Sequence, residues 1–534
     1  MTGDHENDHV ASVTYENDDD SVVVIIGSGA GGGTLANELA QKGVDVVLLE
    51  AGPRLQMTDF LNDEFGAMEQ LSWLDKRTCS GDAAFVKNSP TFPTWICKTV
   101  GGSSVHWVGN SIRLQEREFA PLRTYGAIPG ANLIDWPINL EELLPYYEKA
   151  EDKMGVTGRN GIPHLPKSNN SKVFFRAAKR MGFQRVSTSY LAINPEPRDG
   201  RNACDHIGFC MQGCRSGAKW STLYTEIPKA EATGHCEVRP ESMALRIDHD
   251  DTGRVTGVLY ADNKGNHHFQ RARVVCVAGN SLETPRIMFN SATTLYPDGL
   301  ANSSGQLGKN YMRNCHGMVF GEFDQPVNMY RGPVGAGLIE DLGGNEPEQR
   351  GFVGGIWIGL VSVGMPYFSN MLDPKGWGRE KTDALEGYER MAGVWFCGDD
   401  LPQERNCVRL NTDEKDQFGL PVAHVHLEMH ENEHRMQNFG LRTCEEMMMA
   451  GGARRTVSEA QPGSAHNIGT CRMSDKPEEG VVNGYGQAHD ISNLFVSDGS
   501  QFTHINTGNP TLTIVTLAIR QADYIAEKMR VNEI

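Results

Sequence analysis

Runs of apolar residues, and the glycines and prolines that break them, predict the architecture of this chain. Near its start, Val22-Val23-Val24-Ile25-Ile26 is an unbroken apolar run, the pattern of a parallel strand buried on both faces. It passes into Gly27-Ser28-Gly29-Ala30-Gly31-Gly32-Gly33, then a helical stretch from Thr34 to Gln41, then a second run, Val46-Val47-Leu48-Leu49-Glu50. Such a βαβ unit of roughly 30 residues opens a doubly wound sheet. A later strand, Val274-Val275-Cys276-Val277-Ala278, ends at Gly279, and Leu494-Phe495-Val496 runs into Ser497-Asp498-Gly499. After Asn509-Pro510, the stretch from Thr511 to Met529 is expected as a helix. Three separated segments, 21–112, 225–312 and 462–530, thus compose one nucleotide-binding lobe. The intervening segments 113–224 and 313–461 are expected to form a second lobe. The uncharged run from Gly351 to Leu372 holds four more glycines and Pro366. It is expected as a pair of buried strands, because a spanning helix would have to absorb all of these breakers.

Composition narrows the function classes. The chain has 534 residues, 39% of them hydrophobic, and a net charge of −18, which argues against nucleic acid or anionic membrane surfaces as partners. Its 59 glycines exceed the usual share of about 7%, so tight turns near a ligand are expected. Twelve cysteines are too sparse for a disulfide scaffold. The first twenty residues carry seven acids and no Lys or Arg, the reverse of a signal peptide's charged start. Residues 1–20 are expected as a flexible acidic tail, and no membrane-spanning segment is expected.

Gly27, Gly29 and Gly32 match G-x-G-x-x-G between a strand and a helix. The first glycine allows the tight turn, the second lets backbone approach a pyrophosphate, and the third lets helix and strand pack closely. The helix N-terminus then offers free N–H groups to the phosphates. Glu50 ends the second strand, where an acid bonds a ribose hydroxyl and disfavours a 2′-phosphate. This loop alone leaves FAD and NAD both open.

Other segments carry a resemblance that decides between them. Val100-Gly101-Gly102-Ser103-Ser104-Val105-His106-Trp107 resembles the first signature of the glucose–methanol–choline (GMC) oxidoreductases, FAD enzymes that oxidise alcohols. Gly279 through Arg286 resembles their second signature, with Thr284 where serine is usual. Ser464-Ala465-His466-Asn467-Ile468-Gly469-Thr470-Cys471-Arg472-Met473 and Val496-Ser497-Asp498-Gly499 resemble their C-terminal catalytic block. The resemblance covers about residues 20 to 525. It implies an α/β fold: a Rossmann-like FAD-binding domain with an inserted α+β substrate-binding domain built on an antiparallel sheet. It also places Gly101, Gly102, Ser103, Ser104, His106, Gly279, Asp498, Gly499, Asn509, Pro510 and Thr511 at the flavin.

Oxidising an alcohol removes a hydroxyl proton and a hydride from one carbon. Flavin N5 takes the hydride, so the protein must supply a base and hold the oxygen. By its place in the family block, His466 is that base, largely neutral near pH 7. Asn509, in Asn506-Thr507-Gly508-Asn509-Pro510-Thr511, matches the histidine or asparagine that holds the substrate oxygen. Asn509 is also expected to cap the last helix, with Pro510 in its first turn, presenting the helix's positive end to the flavin. Ser104-Val105-His106-Trp107 is similar to the branch of pyranose oxidases and sugar dehydrogenases, in which the resemblance implies either covalent attachment of FAD at His106 or a histidine packed beside the isoalloxazine.

Cys204, Cys210 and Cys214 form C-x5-C-x3-C, a set of thiolates suited to zinc or iron–sulfur. His206 would complete a Cys3His zinc site, whereas three cysteines without a fourth suit a [3Fe–4S] cluster with one ligand per iron. The spacing resembles that of FAD-dependent glucose dehydrogenase large subunits, which carry such a cluster, and next that of gluconate 2-dehydrogenase. The expectation is therefore a sugar or glycoside dehydrogenase passing single electrons to a cytochrome or quinone acceptor, with a small subunit as partner. In that group the small subunit can carry the export signal, so both a periplasmic and a cytoplasmic home stay open. The alternatives are an oxygen-using pyranose-type oxidase with structural zinc, and a non-catalytic flavin-binding electron-transfer subunit.

Overall fold

The computed structural model describes residues 13–64, 79–81, 96–371, 377–459, 465–505 and 507–534. Of the residues singled out above, the first twelve, Leu372, Ser464 and Asn506 lie outside these.

Five short strands build the parallel sheet in the order Leu494–Val496, Val274–Val277, Val23–Ile26, Val46–Leu49, Cys236–Arg239. The apolar runs are unbroken because alternate residues enter different cores. Val24, Ile26, Val47, Leu49, Val275 and Val277 pack on one face. Val23, Ile25, Val46, Leu48, Val274 and Cys276 pack on the other, under helix Ala30–Ala40. That helix lies against the last helix, Thr511–Arg530, so the first and last segments close on one another.

A six-stranded antiparallel sheet forms the second lobe, in the order Arg455–Glu459, Cys315–Glu322, Met391–Gly398, Ile356–Val361, Leu338–Ile339, Val186–Ser187. Helices Asn169–Met181 and Glu431–Ala450 cover it.

Three expectations change. The run from Gly351 yields one strand, Ile356–Val361, followed by helix Met365–Met371. Pro366 is tolerated there because the first helical turn needs no N–H from it. Segment 113–224 is shared between lobes. Helix Leu140–Met154 packs on Thr511–Arg530 and sends Leu143, Tyr147, Ala150 and Met154 into the nucleotide-lobe core, whereas Asn169–Met181 joins the second sheet. Residues 13–20, expected within a flexible tail, are docked: Tyr15 donates its hydroxyl to Asp45 (2.6 Å) and its N–H to Glu237 (2.8 Å), and its carbonyl accepts from Arg239 (2.7 Å).

The lobes are joined by a buried ion pair. Arg286, on helix Asn280–Asn290, bonds Asp416 beyond strand Cys407–Lys415, with both side chains almost fully buried, and donates through Nε to the Pro421 carbonyl (2.8 Å). Removing one partner of such a pair strands a buried charge. Asp416→Ala is expected to lower stability by about 3 kcal/mol in denaturant titration, with Glu283, also bonded to Arg286, limiting the loss.

Candidate active site

A long, mostly apolar cleft starts at the C-terminal edge of the parallel sheet and ends against the antiparallel sheet. At its nucleotide end, Gly27 holds φ +98°, and a Cβ there would lie 2.4 Å from the Ala278 carbonyl oxygen. Gly102, at φ +50°, faces Gly29 so closely that its Cβ would sit 2.8 Å from the Gly29 Cα. The two glycine turns therefore leave bare backbone on both sides of the cleft. Ser28 ties them, donating its hydroxyl to Glu50 (2.6 Å) and accepting the Gly101 N–H (2.9 Å). Glu50 also accepts from the N–H groups of Ser28 (3.1 Å) and Gly52 (2.9 Å). Burial pushes its carboxyl above the usual range against the pull of these bonds. Ser103 and Ser104 both line the cleft, and the Ser104 hydroxyl bonds the Gly101 carbonyl (2.5 Å) and Ser221 (3.0 Å). Ser104 thus shapes the turn.

Asp498 has a similar supporting part. Its carboxylate accepts from Asn280 N–H (2.8 Å), the Thr284 hydroxyl (2.6 Å), Ser500 N–H (2.8 Å) and the Ser500 hydroxyl (2.5 Å). It ties two of the recognised segments at the wall of the cleft, beside Gly279 and Gly499. Thr284, the departure from the usual serine, also accepts the Gly279 N–H (3.0 Å), so its hydroxyl keeps the function a serine would have there.

At the far end His466 and Asn509 meet. Asn509 Nδ2 lies 2.9 Å from His466 Nε2, and His466 Nδ1 lies 2.8 Å from Asn314 Oδ1. Asn314 in turn donates Nδ2–H to the Gly398 carbonyl at 2.9 Å. A carbonyl can only accept, so the amide is oriented with Oδ1 towards the imidazole, and His466 must carry its proton on Nδ1. Nε2 is then a lone-pair nitrogen facing the cleft. Burial pushes the imidazole down to about 4, so it is neutral at ordinary pH. Asn509 does not cap the last helix. Pro510 occupies the cap position and Thr511 starts the helix, because the Asn509 side chain is turned to His466. The helix N-terminus still opens on the cleft, with Asn509, Pro510 and Thr511 in its wall.

His316 and Trp395 complete this end. His316 rings edge-on against His466 (centroids 5.3 Å, interplanar 82°) and against Trp395 (5.5 Å). His316, Cys397 and His466 bring ligand-type atoms within 4.8 Å of one another. Both His466 nitrogens, however, already face amides, which suits a base better than a metal ligand.

His106 also lines the cleft. Its Nδ1 bonds the Met211 carbonyl (3.0 Å), and burial with the nearby Lys219 charge holds its imidazole far down, at about 3. Met211 belongs to the short turn Cys210–Gln212 inside the cysteine loop. Cys204, Cys210 and Cys214 converge on one apolar floor of Leu165, Leu191, Ile193, Ala218 and Ala336. Burial pushes the Cys204 thiol up to about 12 and raises Cys210. Lys219, buried, donates Nζ–H to the carbonyls of Val105 (2.9 Å), Trp107 (2.6 Å) and Cys210 (2.6 Å), and its backbone N–H to Cys214 Sγ (3.3 Å). Desolvation pushes its ammonium down to about 8, and the acidic groups that raise it are the thiols of Cys210, Cys214 and Cys97.

Sequence reasoning missed Ser28, Asn314, His316, Lys219 and Met211. Of these only Ser28 had a signal, its place inside the glycine motif.

The residues fit FAD: facing glycine turns for a pyrophosphate, Glu50 at the ribose end, a helix N-terminus at the ring end, and an Asn509 Oδ1 buried without a hydrogen-bond partner among the described residues. A Rossmann-like NAD(P)-binding model matches residues 25–65, and GMC oxidoreductase models match residues 78–314 and 402–518. The chain is 32% identical to 2-methyl-1,2-propanediol dehydrogenase of Mycolicibacterium austroafricanum, over 96% of each protein. It is 28% identical to the fructose dehydrogenase large subunit of Gluconobacter japonicus, over 95% of this chain and 98% of that one. Among solved structures, pyridoxine 4-oxidase from Mesorbium loti shares the fold with a TM-score of 0.66 at 18% identity, covering 95% of this chain and 99% of that one. With nucleotide cleft, catalytic block and family models in agreement over most of its length, the chain belongs to the GMC oxidoreductases, FAD-dependent enzymes that act on CH–OH groups.

Proposed function

We propose that this protein is a dehydrogenase that oxidises a hydroxyl of a sugar or related polyol and releases the electrons through a [3Fe–4S] cluster to an external acceptor. The observation that carries the reaction is the locked imidazole of His466, with Nε2 turned to Asn509. FAD, when bound, supplies the hydride acceptor at N5. The substrate hydroxyl takes a place between His466 Nε2 and Asn509, donating its proton to the first and accepting an N–H from the second. As the C–H hydride departs, the O–H bond breaks towards Nε2 and the C=O bond forms. Asn314 keeps Nδ1–H in place throughout, so the proton arrives at Nε2, the ring nitrogen that carries the lone pair. The apolar walls exclude water. The positive end of helix Thr511–Arg530 favours negative charge at the ring end of the cleft. The polyol preference draws support from relatives that include fructose dehydrogenase and 2-methyl-1,2-propanediol dehydrogenase.

The cluster reading draws its support from Lys219. A buried ammonium without a carboxylate needs a compensating anion, and thiolates carrying iron would supply it beside Cys210 and Cys214. The cysteines are not part of the one group of three ligand atoms within 4.8 Å found among the described residues, so they are not gathered as a single tetrahedral zinc gathers its ligands. The Cys210–Gln212 turn contributes Met211 and Gln212 to the cleft wall, which brings the cysteine loop to the flavin side of the site. A companion subunit and a cytochrome or quinone would receive the electrons. Among the described residues no helix is long and apolar enough to cross a membrane. His106, with Nδ1 held by Met211, leaves Nε2 as the nitrogen for attachment to the flavin 8α-methyl.

His466→Ala is expected to lower kcat with an artificial acceptor by about 10²–10⁴-fold without releasing FAD. Because His466 must be neutral, kcat/KM should hold as pH falls and drop near pH 4. Asn314→Asp places a carboxylate at Nδ1, favours the charged ring and should move that acid limb upward by about one unit or more; an unmoved limb would show that Nδ1 does not face residue 314.

Cys210→Ser is expected to lose iron and labile sulfide. Anaerobic substrate should still bleach its flavin at close to the wild-type rate, while electron delivery to a one-electron acceptor falls at least tenfold. Full iron content in this variant would overturn the assignment of the ligands.

A further inference from the structure

Strand register brings one more polar group to the reacting end of the cleft. Cys315–Glu322 pairs antiparallel with Met391–Gly398 so that His316 stands opposite Cys397 and Met318 opposite Trp395. Successive residues of a strand point to opposite faces. His316, Met318 and Trp395 accordingly share the face that walls the cleft, while Gly317 and Phe396 face the helix behind. His316 is only 6% exposed, yet its Nε2 has no hydrogen-bond partner among the described residues. Leaving such a group unpaired is unfavourable, and a ligand hydroxyl would satisfy it. The ring is held neutral, well below its ordinary range, by burial and by its neighbours His466 and Arg313. A neutral imidazole can pair with a hydroxyl through either nitrogen role. A ring nitrogen of His316 lies within 4.8 Å of one on His466, close enough for the two to hold two adjacent oxygens. Trp395, braced edge-on by Trp357 at 4.8 Å, offers an aromatic wall beside them.

We infer that His316 binds a second substrate hydroxyl, on the carbon next to the one being oxidised, so that the site selects vicinal diols over simple alcohols. This rests on the proposal that His466 and Asn509 hold the reacting hydroxyl. The diol spans the two imidazoles, one oxygen on His466 and Asn509 and the other on His316, while its carbon frame lies against Trp395. His316 takes no proton from the reacting oxygen. It fixes which C–H of the substrate is presented for hydride removal.

The test uses the holoenzyme with trans-cyclohexane-1,2-diol and cyclohexanol, which differ by that one hydroxyl. In the wild type, kcat/KM should favour the diol by at least tenfold. In His316→Phe the diol should lose about tenfold, mostly in KM, while cyclohexanol changes by less than threefold, so the preference collapses. His316→Gln, which keeps a hydrogen-bonding group, should restore part of it. Equal losses on both substrates, or an unchanged preference, would overturn the inference and leave the proposed reaction standing. Binding is read separately in His466→Ala, by perturbation of flavin absorbance during titration with each compound. There too the diol should bind more tightly, and His316→Phe should remove the difference. Selective diol binding without turnover in the wild type would refute the proposed reaction but retain His316 as the diol contact. No selectivity in either measurement refutes the role of His316.

Discussion

The functional end of this molecule depends on a single carbonyl that can only accept. The Gly398 carbonyl takes the Asn314 amide N–H, and this turns the other end of the amide to His466. The consequence is chemical: the imidazole has one tautomer and one available lone pair. It is also architectural. Asn314 and Gly398 flank two paired strands of the antiparallel sheet, whereas His466 lies on the segment that returns to the nucleotide lobe. The base is therefore positioned by the junction of the lobes. The Arg286–Asp416 pair holds the same junction at another point. A side chain carried by one lobe alone would depend on how accurately the lobes dock; here the docking and the tautomer are fixed by the same contacts.

Lys219 imposes a comparable constraint on the other side of the flavin. Its ammonium touches the carbonyls on either side of His106 and the carbonyl of Cys210. One buried charge thus organises both the histidine turn and the first half of the cysteine loop. The three carbonyls satisfy its hydrogen bonds but not its charge, and an apolar floor lies beneath the loop. Charge at this place is balanced most directly by thiolates. That gives the cysteine loop a reason to be ionic, although burial raises the Cys204 and Cys210 thiols.

What the sequence made legible was local. The glycine turn, its flanking strands and Glu50 lie within one βαβ unit, and each has a steric or electrostatic reason to be where it is. The catalytic block was legible through resemblance, which located His466 and Asn509 but not their geometry. Asn509 was expected as a helix cap from the strong capping preference of asparagine. The structure moves the cap to Pro510 because the hydrogen bond to His466 competes for the same side chain. Asn314 and His316 left no trace, since their roles arise from strand pairings between residues some 80 positions apart. The Gly351–Leu372 run was misjudged for a similar reason: apolarity and breakers were visible, but a proline in a first helical turn and one at a strand end look alike in one dimension.

Two neutral imidazoles side by side also account for how a buried base can operate here. If both were protonated, like charges in a nonaqueous pocket would repel strongly; burial lowers the tendency of His466 to hold a proton, and burial with its neighbours His466 and Arg313 lowers that of His316. A base weakened in this way is a poor acceptor in the resting site. In the proposed reaction it becomes effective as hydride leaves the carbon and the hydroxyl on that carbon turns strongly acidic. The same suppression keeps a protonated imidazole out of the site, while the partial positive charge of the helix N-terminus at Thr511 acts at the ring end. That influence acts where hydride transfer leaves negative charge, and it needs no proton to move before the reaction begins.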